Sequence, residues 1–368
     1  MKKIKLIVNT VGQKYPIIIG KNVAKNISKI ISDNLISFEK CLLVVDKNVP
    51  KKLLVKIRKS FFNKKVLILY INANEKNKNI HTANSIIKIL LNQNFTRQDC
   101  LISIGGGITG DISSFAASLF KRGLKFINVP TTLLSQVDSS IGGKTGINTS
   151  LGKNLIGTFY QPKLVVSDID FLHSLPQREK ICGYGEILKH SLINNKNFFL
   201  YLNKNFSNIV SLKSPFIERA IYESCKIKKK IVEKDEKEKN LRKVLNFGHT
   251  FAHAFEATLN FSKKLNHGEA VILGMQSALK FSKNNNFLIS KDYELIKTHI
   301  KNSGLPTDLN KYFSLKDYKK ILSFMLNDKK NKSKKINLIL LKKIGSPIID
   351  KEYNANNLKV FLKKELSN

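Results

Sequence analysis

The sequence predicts an α/β fold, with a parallel-sheet α/β domain in the N-terminal half and a mainly α-helical domain in the C-terminal half. In the first half, short apolar runs alternate with amphipathic segments, a pattern typical of parallel strands joined by crossover helices. In the second half, strand-like runs almost disappear and long helical patterns follow one another. A chain of 368 residues is also too long for one typical domain. We therefore predict two domains, residues 1–174 and 175–368, with the ligand site in the cleft between them.

The elements of the first half follow from its apolar runs. Alternating apolar and polar residues predict a pair of strands in the opening segment, MKKIKLIVNTVGQKYPIIIG. Further strands are predicted at residues 40–46, 65–71, 100–104 and 125–130, where the runs are continuously apolar. The segments between them, such as TANSIIKILLNQN and DISSFAASLFKRG, have the apolar spacing of helices.

The second half contains six helical patterns, from GYGEILKHSLI to LKDYKKILSFMLNDKK. One of them, LRKVLNFGHTFAHAFEATL, has the spacing of a single continuous helix. Gly183 and Gly185 are expected to precede the first helix, which would place Glu186 in its first turn, where the helix dipole favours a carboxylate. A short strand, KKINLILLKKIG, and a small helix are expected to complete the domain.

Composition argues against a membrane protein and against a nucleic-acid-binding protein. No apolar run approaches the roughly 18 residues of a membrane-spanning helix. The net charge of +37 is compatible with nucleic-acid binding, but the excess is nearly all lysine and the few arginines are scattered, which favours a solvated surface. The four cysteines form no C-x-x-C pair, as expected of reduced thiols in the cytoplasm.

A glycine-rich turn follows the predicted strand CLISI. The segment GGGITGD satisfies G-x-G-x-x-G through Gly105, Gly107 and Gly110 and then opens a helix. Strand, glycines and helix in this order predict a cradle for a pyrophosphate. The acid expected about 20 residues later to bind a ribose is absent, so Asp46 and Glu75, after earlier strands, are the candidates for that contact. An ordinary tight turn stays open as the alternative.

A second glycine-rich segment, VDSSIGGKTGIN, does not fit a triphosphate-binding loop. That loop requires G-x-x-x-x-G-K-[ST], and Asp138 stands where its first glycine would be. A carboxylate there would repel a phosphate group. Lys144 is therefore expected to bind another kind of anion.

Several histidines and acids in the helical half predict a metal site. The segment NFGHTFAHAFE would place Asn246, His249, His253 and Glu256 on one face of a helix, and His267 follows in NHGEAVILG. Clustered imidazoles and carboxylates are typical zinc ligands. From spacing alone, His249 and His253 are the favoured ligand pair.

The motifs together resemble those of the 3-dehydroquinate synthases, within the sugar phosphate cyclases. The resemblance rests on GGGITGD, VPTTLLSQVDSSIGGKTGIN, GKNLIGTFYQP, GYGEILKH, LNFGHTFAHAFE and HGEA, and it extends over nearly the whole chain. It implies conversion of 3-deoxy-D-arabino-heptulosonate 7-phosphate to 3-dehydroquinate and phosphate, in the shikimate route to aromatic amino acids. It also implies a Rossmann-like NAD-binding domain, one divalent metal (Zn²⁺ or Co²⁺) per chain and a homodimer.

The resemblance also implies roles for individual residues. The implied metal ligands are Glu186, His249 and His267, which displaces the pair favoured by spacing. The implied NAD contacts are Asp46, Asn48, Glu75, Lys78, Gly105, Gly106, Gly107, Asp111, Thr131, Thr132, Lys144, Lys153 and Ser174. The implied substrate and catalytic contacts are Asp138, Lys144, Asn154, Lys189, Lys228, Arg242, Asn246, His253 and Lys329 or Lys330. Arg122 is similar to an arginine that reaches a phosphate group across the dimer interface.

Two positions depart from the family pattern: Asn74 replaces a glycine, and Ser174 stands where threonine is common. Neither removes a group that the chemistry requires. A related cyclase with the same metal ligands and another sugar phosphate substrate is an alternative. A metal-dependent polyol dehydrogenase is a second, although the GGKTGIN and GKN loops argue against it.

Overall fold

The computed structural model describes residues 3–327 and 335–367 and divides the chain into two compact units. Unit 1 comprises Met1–Lys180 and Leu212–Lys237, and unit 2 comprises Ile181–Ser211 and Glu238–Asn368. The sequence prediction assigned Leu212–Lys237 to the helical half, whereas the chain returns to unit 1 in this segment. Lys329 and Lys330 lie outside the described residues.

Unit 1 is built on a seven-stranded sheet. Its strands are β1 (Ile4–Asn9), β2 (Lys14–Gly20), β3 (Lys40–Asp46), β4 (Lys65–Ile71), β5 (Cys100–Gly105), β6 (Lys125–Pro130) and β9 (Leu164–Asp168). The order is β1-β2-β9-β6-β5-β3-β4, and only the β1–β2 pair is antiparallel. The predicted strands are therefore confirmed. Continuous apolar runs predicted the central strands because a parallel sheet covered on both faces buries the side chains of both faces.

Helices cover this sheet on both sides. They are α1 (Ile27–Asp33), α2 (Lys51–Lys59), α3 (Ile80–Asn92), α4 (Gly107–Leu119) and α7 (Phe216–Lys234). Two buried apolar clusters form the cores, one containing Leu43 and Ile102 and the other containing Leu42 and Leu101. The alternation of these neighbours between the clusters reflects the alternating side chains of a strand. A short hairpin of β7 (Ile147–Thr149) and β8 (Gly152–Ile156) lies outside the large sheet.

Unit 2 is mainly helical, as predicted. Its helices are α5 (from Gln177 in unit 1 to Asn194), α6 (Lys196–Val210), α8 (His249–Thr258), α9 (His267–Asn284), α10 (Ser290–Asn302), α11 (Tyr318–Leu326) and α12 (Ala355–Leu366). Large aromatic side chains, including Phe199, Phe251 and Phe255, fill its core. The expected single strand near the C-terminus is instead an antiparallel hairpin of β10 (Lys335–Lys343) and β11 (Ser346–Asn354).

Two helix predictions in unit 2 are wrong in detail. The segment expected to form one helix from Leu241 is a 3₁₀ turn over Leu241–Asn246, and α8 begins only at His249. Helix α5 begins at Gln177, so Glu186 lies in its middle rather than its first turn. Gly185 lies inside this helix because α9 packs close to it: an added Cβ would come 3.2 Å from the Gly268 carbonyl oxygen.

Within residues 3–327 and 335–367, no helix combines the length and the apolar character needed to cross a membrane.

Candidate active site

The glycine-rich turn of unit 1 joins the end of β5 to the start of α4. Gly105 ends the strand, Gly106 occupies the N-cap position, and the helix begins at Gly107. An added Cβ at Gly106 would lie 3.2 Å from Thr132 Cγ2, and one at Gly107 would lie 3.0 Å from Ser139 Oγ. Glycines therefore leave the backbone bare at the N-terminus of a 13-residue helix. This arrangement fits a pyrophosphate group.

Polar groups surround this turn at the carboxyl edge of the sheet. Because β3, β4, β5 and β6 are parallel, their carboxyl ends share one edge. Asp46 ends β3, and its Oδ1 accepts hydrogen bonds from the backbone N–H and the side-chain amide of Asn48, at 3.0 and 3.1 Å. Thr131 follows β6 and donates its backbone N–H to the Gly105 carbonyl oxygen at 2.9 Å. The predicted nucleotide contacts thus follow neighbouring strands.

Lys78 connects three parts of unit 1. Its buried ammonium group lies 2.6 Å from Asp111 Oδ2 on α4 and 2.6 Å from Asn154 Oδ1 on β8. Burial raises the pKa of Asp111 above its usual value, although the charge of Lys78 opposes the shift. Lys153 Nζ lies 3.3 Å from Glu75 Oε1. Four predicted cofactor residues therefore form two ion pairs, and the predicted substrate residue Asn154 is joined to one of these pairs by a hydrogen bond.

Asn148, which was not predicted from the sequence, connects the same segments of unit 1. Its side-chain amide donates to Glu75 Oε2 at 2.8 Å, and its Oδ1 accepts the Asn154 N–H at 3.0 Å. Its own backbone N–H donates to the Lys78 carbonyl oxygen at 2.7 Å. Asn148 ends the segment GGKTGIN and lies between Lys144 and Lys153, two predicted site residues. This position was the signal in the sequence that could have indicated it.

Asp138 and Lys228 form an ion pair within unit 1. Asp138 belongs to a π-helical turn over Ser135–Ser139, and Lys228 belongs to α7. Lys228 Nζ lies 2.7 Å from Asp138 Oδ1 and 2.6 Å from the Asp138 carbonyl oxygen. Lys228 is 5% exposed, so the ammonium group is desolvated while it fixes the aspartate. Two residues 90 positions apart, each predicted to contact the substrate, are thus in direct contact.

Three other predicted residues of unit 1 are exposed: Arg122, Lys144 and Ser174. The backbone of Lys144 forms an isolated antiparallel β-bridge with that of Phe159. The Ser174 hydroxyl donates to the Phe171 carbonyl oxygen at 2.7 Å. Arg122 has φ +63°, a left-handed conformation that a non-glycine residue seldom adopts without a functional or structural reason.

Unit 2 brings Glu186, His249 and His267 together. One candidate ligand atom from each residue lies within 4.8 Å of the other two, and His249 Nε2 lies 3.6 Å from Glu186 Oε1. His253, which spacing favoured as a ligand, is exposed and is not part of this group; its ring centroid lies 5.4 Å from that of His249.

Local sequence explains why His249 and His267 are the first residues of their helices. Gly248 has φ +78°, and an added Cβ there would come 2.7 Å from Met275, so only glycine suits the residue before α8. Asn266 caps α9 in a capping box with Glu269, which places His267 at the first position of the helix. His249 and His267 are therefore fixed by helix-initiating residues.

Glu186 fits the role of a cation ligand. Its side chain is 1% exposed, and among the described residues neither carboxylate oxygen accepts a hydrogen bond. The buried ammonium group of Lys189 forms an ion pair with Oε2, although not with hydrogen-bond geometry. A buried carboxylate without hydrogen bonds is costly, and a bound cation would remove that cost. One carboxylate and two imidazoles form a donor set typical of catalytic zinc.

The Nδ1 atom of each candidate histidine ligand faces an oxygen. His249 Nδ1 lies 3.3 Å from the Phe247 carbonyl oxygen, and His267 Nδ1 lies 3.0 Å from Glu256 Oε2. Burial lowers the pKa of His267, but the charge of Glu256 and the hydrogen bond to it raise the pKa, so it lies above its usual value.

Comparison with known proteins identifies the family. Residues 68–182 match the family described as 3-dehydroquinate synthase N-terminal, and residues 183–331 match 3-dehydroquinate synthase C-terminal. The chain is 62% identical to the 3-dehydroquinate synthase of Pelagibacter ubique (strain HTCC1062) over 367 residues, which cover 100% of each chain. The chain belongs to the 3-dehydroquinate synthase family.

Solved structures share the fold of this family member. A 2-deoxy-scyllo-inosose synthase complexed with carbaglucose-6-phosphate, NAD⁺ and Co²⁺ superposes with a TM-score of 0.89, at 24% identity, over 99% of this chain and 100% of that one. A 2-epi-5-epi-valiolone synthase of Streptomyces hygroscopicus subsp. jinggangensis 5008, with NAD⁺ and Zn²⁺ bound, gives a TM-score of 0.85 at 21% identity, over 96% and 97%. The predicted fold class is confirmed.

The remaining predicted residues of this family member lie near the 3₁₀ turn before α8. Arg242 is 2% exposed, and Asn246 donates its side-chain amide to Glu238 Oε1 at 2.8 Å. Asn246 was expected on the same helix as His249, which is wrong because the helix starts after Gly248. The substrate contact of Lys329 or Lys330 stays a prediction.

Proposed function

We propose that this chain, as a 3-dehydroquinate synthase, converts 3-deoxy-D-arabino-heptulosonate 7-phosphate to 3-dehydroquinate and phosphate through the residues described above. The observation that carries the proposal is the group of Glu186, His249 and His267, whose donor set suits a divalent cation. The glycine-rich turn before α4 supports NAD binding in the same way, because its backbone suits the pyrophosphate group of NAD. The location of the site in a cleft between the two halves stays a prediction.

When bound, NAD supplies a hydride acceptor and donor, and the divalent cation supplies a Lewis acid for a substrate hydroxyl group. The protein's own groups then bind and orient the substrate. Lys189 and Arg242 are buried cations, and such cations suit an acidic sugar phosphate with two anionic ends. Lys144 is proposed to contact one of these anionic groups.

Proton handling is assigned to Asp138 and His253. Lys228 holds the Asp138 carboxylate in one orientation, which suits a group that accepts a hydrogen bond from a substrate hydroxyl. His253 is exposed and lies beside His249, and an imidazole at this position can carry a proton between substrate and solvent.

Further parts of the proposal concern assembly and location. We propose a homodimer in which Arg122, exposed on its left-handed turn, contacts a phosphate group of the partner subunit's substrate. A cytoplasmic location is also proposed: all four cysteines are free, buried thiols, as is usual in reducing compartments. Sedimentation velocity of the purified protein tests the dimer.

The test of the activity is phosphate release from 3-deoxy-D-arabino-heptulosonate 7-phosphate with catalytic amounts of NAD. Many turnovers per NAD are expected, with activity lost on chelation and restored by Zn²⁺. Absence of phosphate release from protein that binds both NAD and Zn²⁺ would contradict this substrate and favour another sugar phosphate. Net formation of NADH would indicate a dehydrogenase instead.

A further inference from the structure

Glu256 lies behind one of the proposed metal ligands. It belongs to α8, two turns after His249, and its side chain is buried with 7% exposure. Its Oε2 atom lies 3.0 Å from Nδ1 of His267, at the start of α9. Helices α8 and α9 pack against each other. The contact therefore joins the two helices that present the two histidines.

The contact determines which nitrogen of His267 carries the proton. An ionised carboxylate has only hydrogen-bond acceptors, so the imidazole nitrogen that faces it must be the N–H donor. Nδ1 of His267 is then protonated, and Nε2 keeps its lone pair. The same reasoning applies to His249, whose Nδ1 faces the Phe247 carbonyl oxygen at 3.3 Å. In both rings Nε2 is left as the ligand atom.

The contact also restrains the ring of His267. Its side chain is 35% exposed and it occupies the first helical position, where packing alone constrains a side chain weakly. A hydrogen bond from one ring nitrogen to a buried carboxylate fixes the direction of the other nitrogen. Carboxylates in this position also raise the basicity of a ligand imidazole.

We propose that Glu256 is a positioning residue for the metal site: it holds His267 as the Nδ1–H tautomer and directs Nε2 toward Glu186 and His249. The proposal rests on the metal ligands assigned under the proposed function. Glu256 itself touches neither substrate nor cofactor in this assignment and acts only through His267.

The test compares Zn²⁺ binding by the metal-free full-length protein, measured in competition with a chromogenic chelator. Loss of such outer contacts typically weakens metal binding by about 10- to 100-fold, and Glu256→Leu is expected to fall in this range. Glu256→Gln keeps a neutral oxygen acceptor for the Nδ1–H group and should show a smaller loss. This graded order distinguishes positioning from simple loss of folding.

A second readout does not depend on the metal. At alkaline pH, where the imidazole is neutral, nitrogen NMR of the metal-free protein should show His267 as the Nδ1–H tautomer in the wild type. Glu256→Leu should show a mixture of both tautomers, because no acceptor then selects one. If Glu256→Leu does not fold, Glu256→Ala, which also removes the acceptor, replaces it in both measurements.

Asp292→Asn is the matched control. Asp292 is a fully buried carboxylate of unit 2, paired with Lys196 at 2.7 Å and with the Ile344 N–H at 2.8 Å. Its variant should bind Zn²⁺ like the wild type. Unchanged binding in His249→Ala would contradict the metal site itself. Weakened binding in His249→Ala, with wild-type affinity and tautomer in the Glu256 variants, would overturn only the role of Glu256.

Discussion

His299 provides a test of the packing beneath α5, the helix that carries Glu186. Its ring is 1% exposed and lies among Tyr184, Phe199 and Phe206. Nε2 lies 2.8 Å from the Tyr184 hydroxyl, and Nδ1 lies 3.0 Å from Asn203 Oδ1. One nitrogen can accept and the other donate, which suits a neutral imidazole. Burial lowers the pKa of His299 from 6.5 to about 4.

The lowered pKa makes stability depend on pH in a defined direction. Well above pH 6.5 the ring is neutral in both folded and unfolded chains, so it contributes no pH dependence. As the pH falls from 6.5 toward 4, the unfolded chain takes up the proton first and the folded state loses stability. A pKa difference of this size corresponds to a total loss of about 3 kcal/mol, of which about 2 kcal/mol is expected by pH 5.

The assay is denaturant unfolding followed by circular dichroism at about pH 7.5 and about pH 5. His299→Gln removes the titrating group, so its drop in stability between the two pH values should be about 2 kcal/mol smaller than that of the wild type. The other histidines are common to both proteins and cancel in this comparison. His173→Gln, at an exposed position of unit 1, is the control for replacing a histidine elsewhere. Equal pH dependence in His299→Gln and the wild type would refute the argument.

Three substitutions test other contacts. Gly268→Ala would place a Cβ in overlap with the Cys182 backbone, so α5 and α9 must separate. The free energy of unfolding should fall by several kcal/mol, and metal analysis should show a lower zinc content. Lys78→Met leaves Asp111 without its ammonium partner, and calorimetry should show NAD binding at least about 10-fold weaker, whereas unchanged binding would exclude the contact. Asp138→Asn should lower turnover far more than NAD affinity; near-normal kcat would contradict its assigned role.

The sheet of unit 1 was predictable because its signal is local. Strand β3 and strand β5 are apolar at nearly every position, and a buried parallel strand requires that composition. Strand β11 was missed because its sequence, SPIIDKEYN, alternates with charged residues and contains a proline. Its partner β10 stabilises it through the hairpin register, which one segment's sequence does not reveal.

The candidate site was only partly predictable from residue spacing. Spacing favoured His249 with His253, because one helical turn separates them, but it gave no information on how α9 packs against α5 and α8. His267 joins Glu186 and His249 through a helix crossing that depends on small residues such as Gly185 and Gly248. The resemblance to a family supplied that long-range information. Neither route indicated Asn148, whose hydrogen bonds connect segments that are remote in sequence.

The return of Leu212–Lys237 to unit 1 has a consequence for synthesis on the ribosome. Unit 1 is not complete when Lys180 has emerged, because helix α7 is made only after Ile181–Ser211. The ion pair between Asp138 and Lys228 therefore cannot form until a first portion of unit 2 has left the exit tunnel. Domains generally fold as units during translation, the N-terminal one first. Here α7 of unit 1 is synthesised after the first portion of unit 2, so the two units cannot be completed in simple succession.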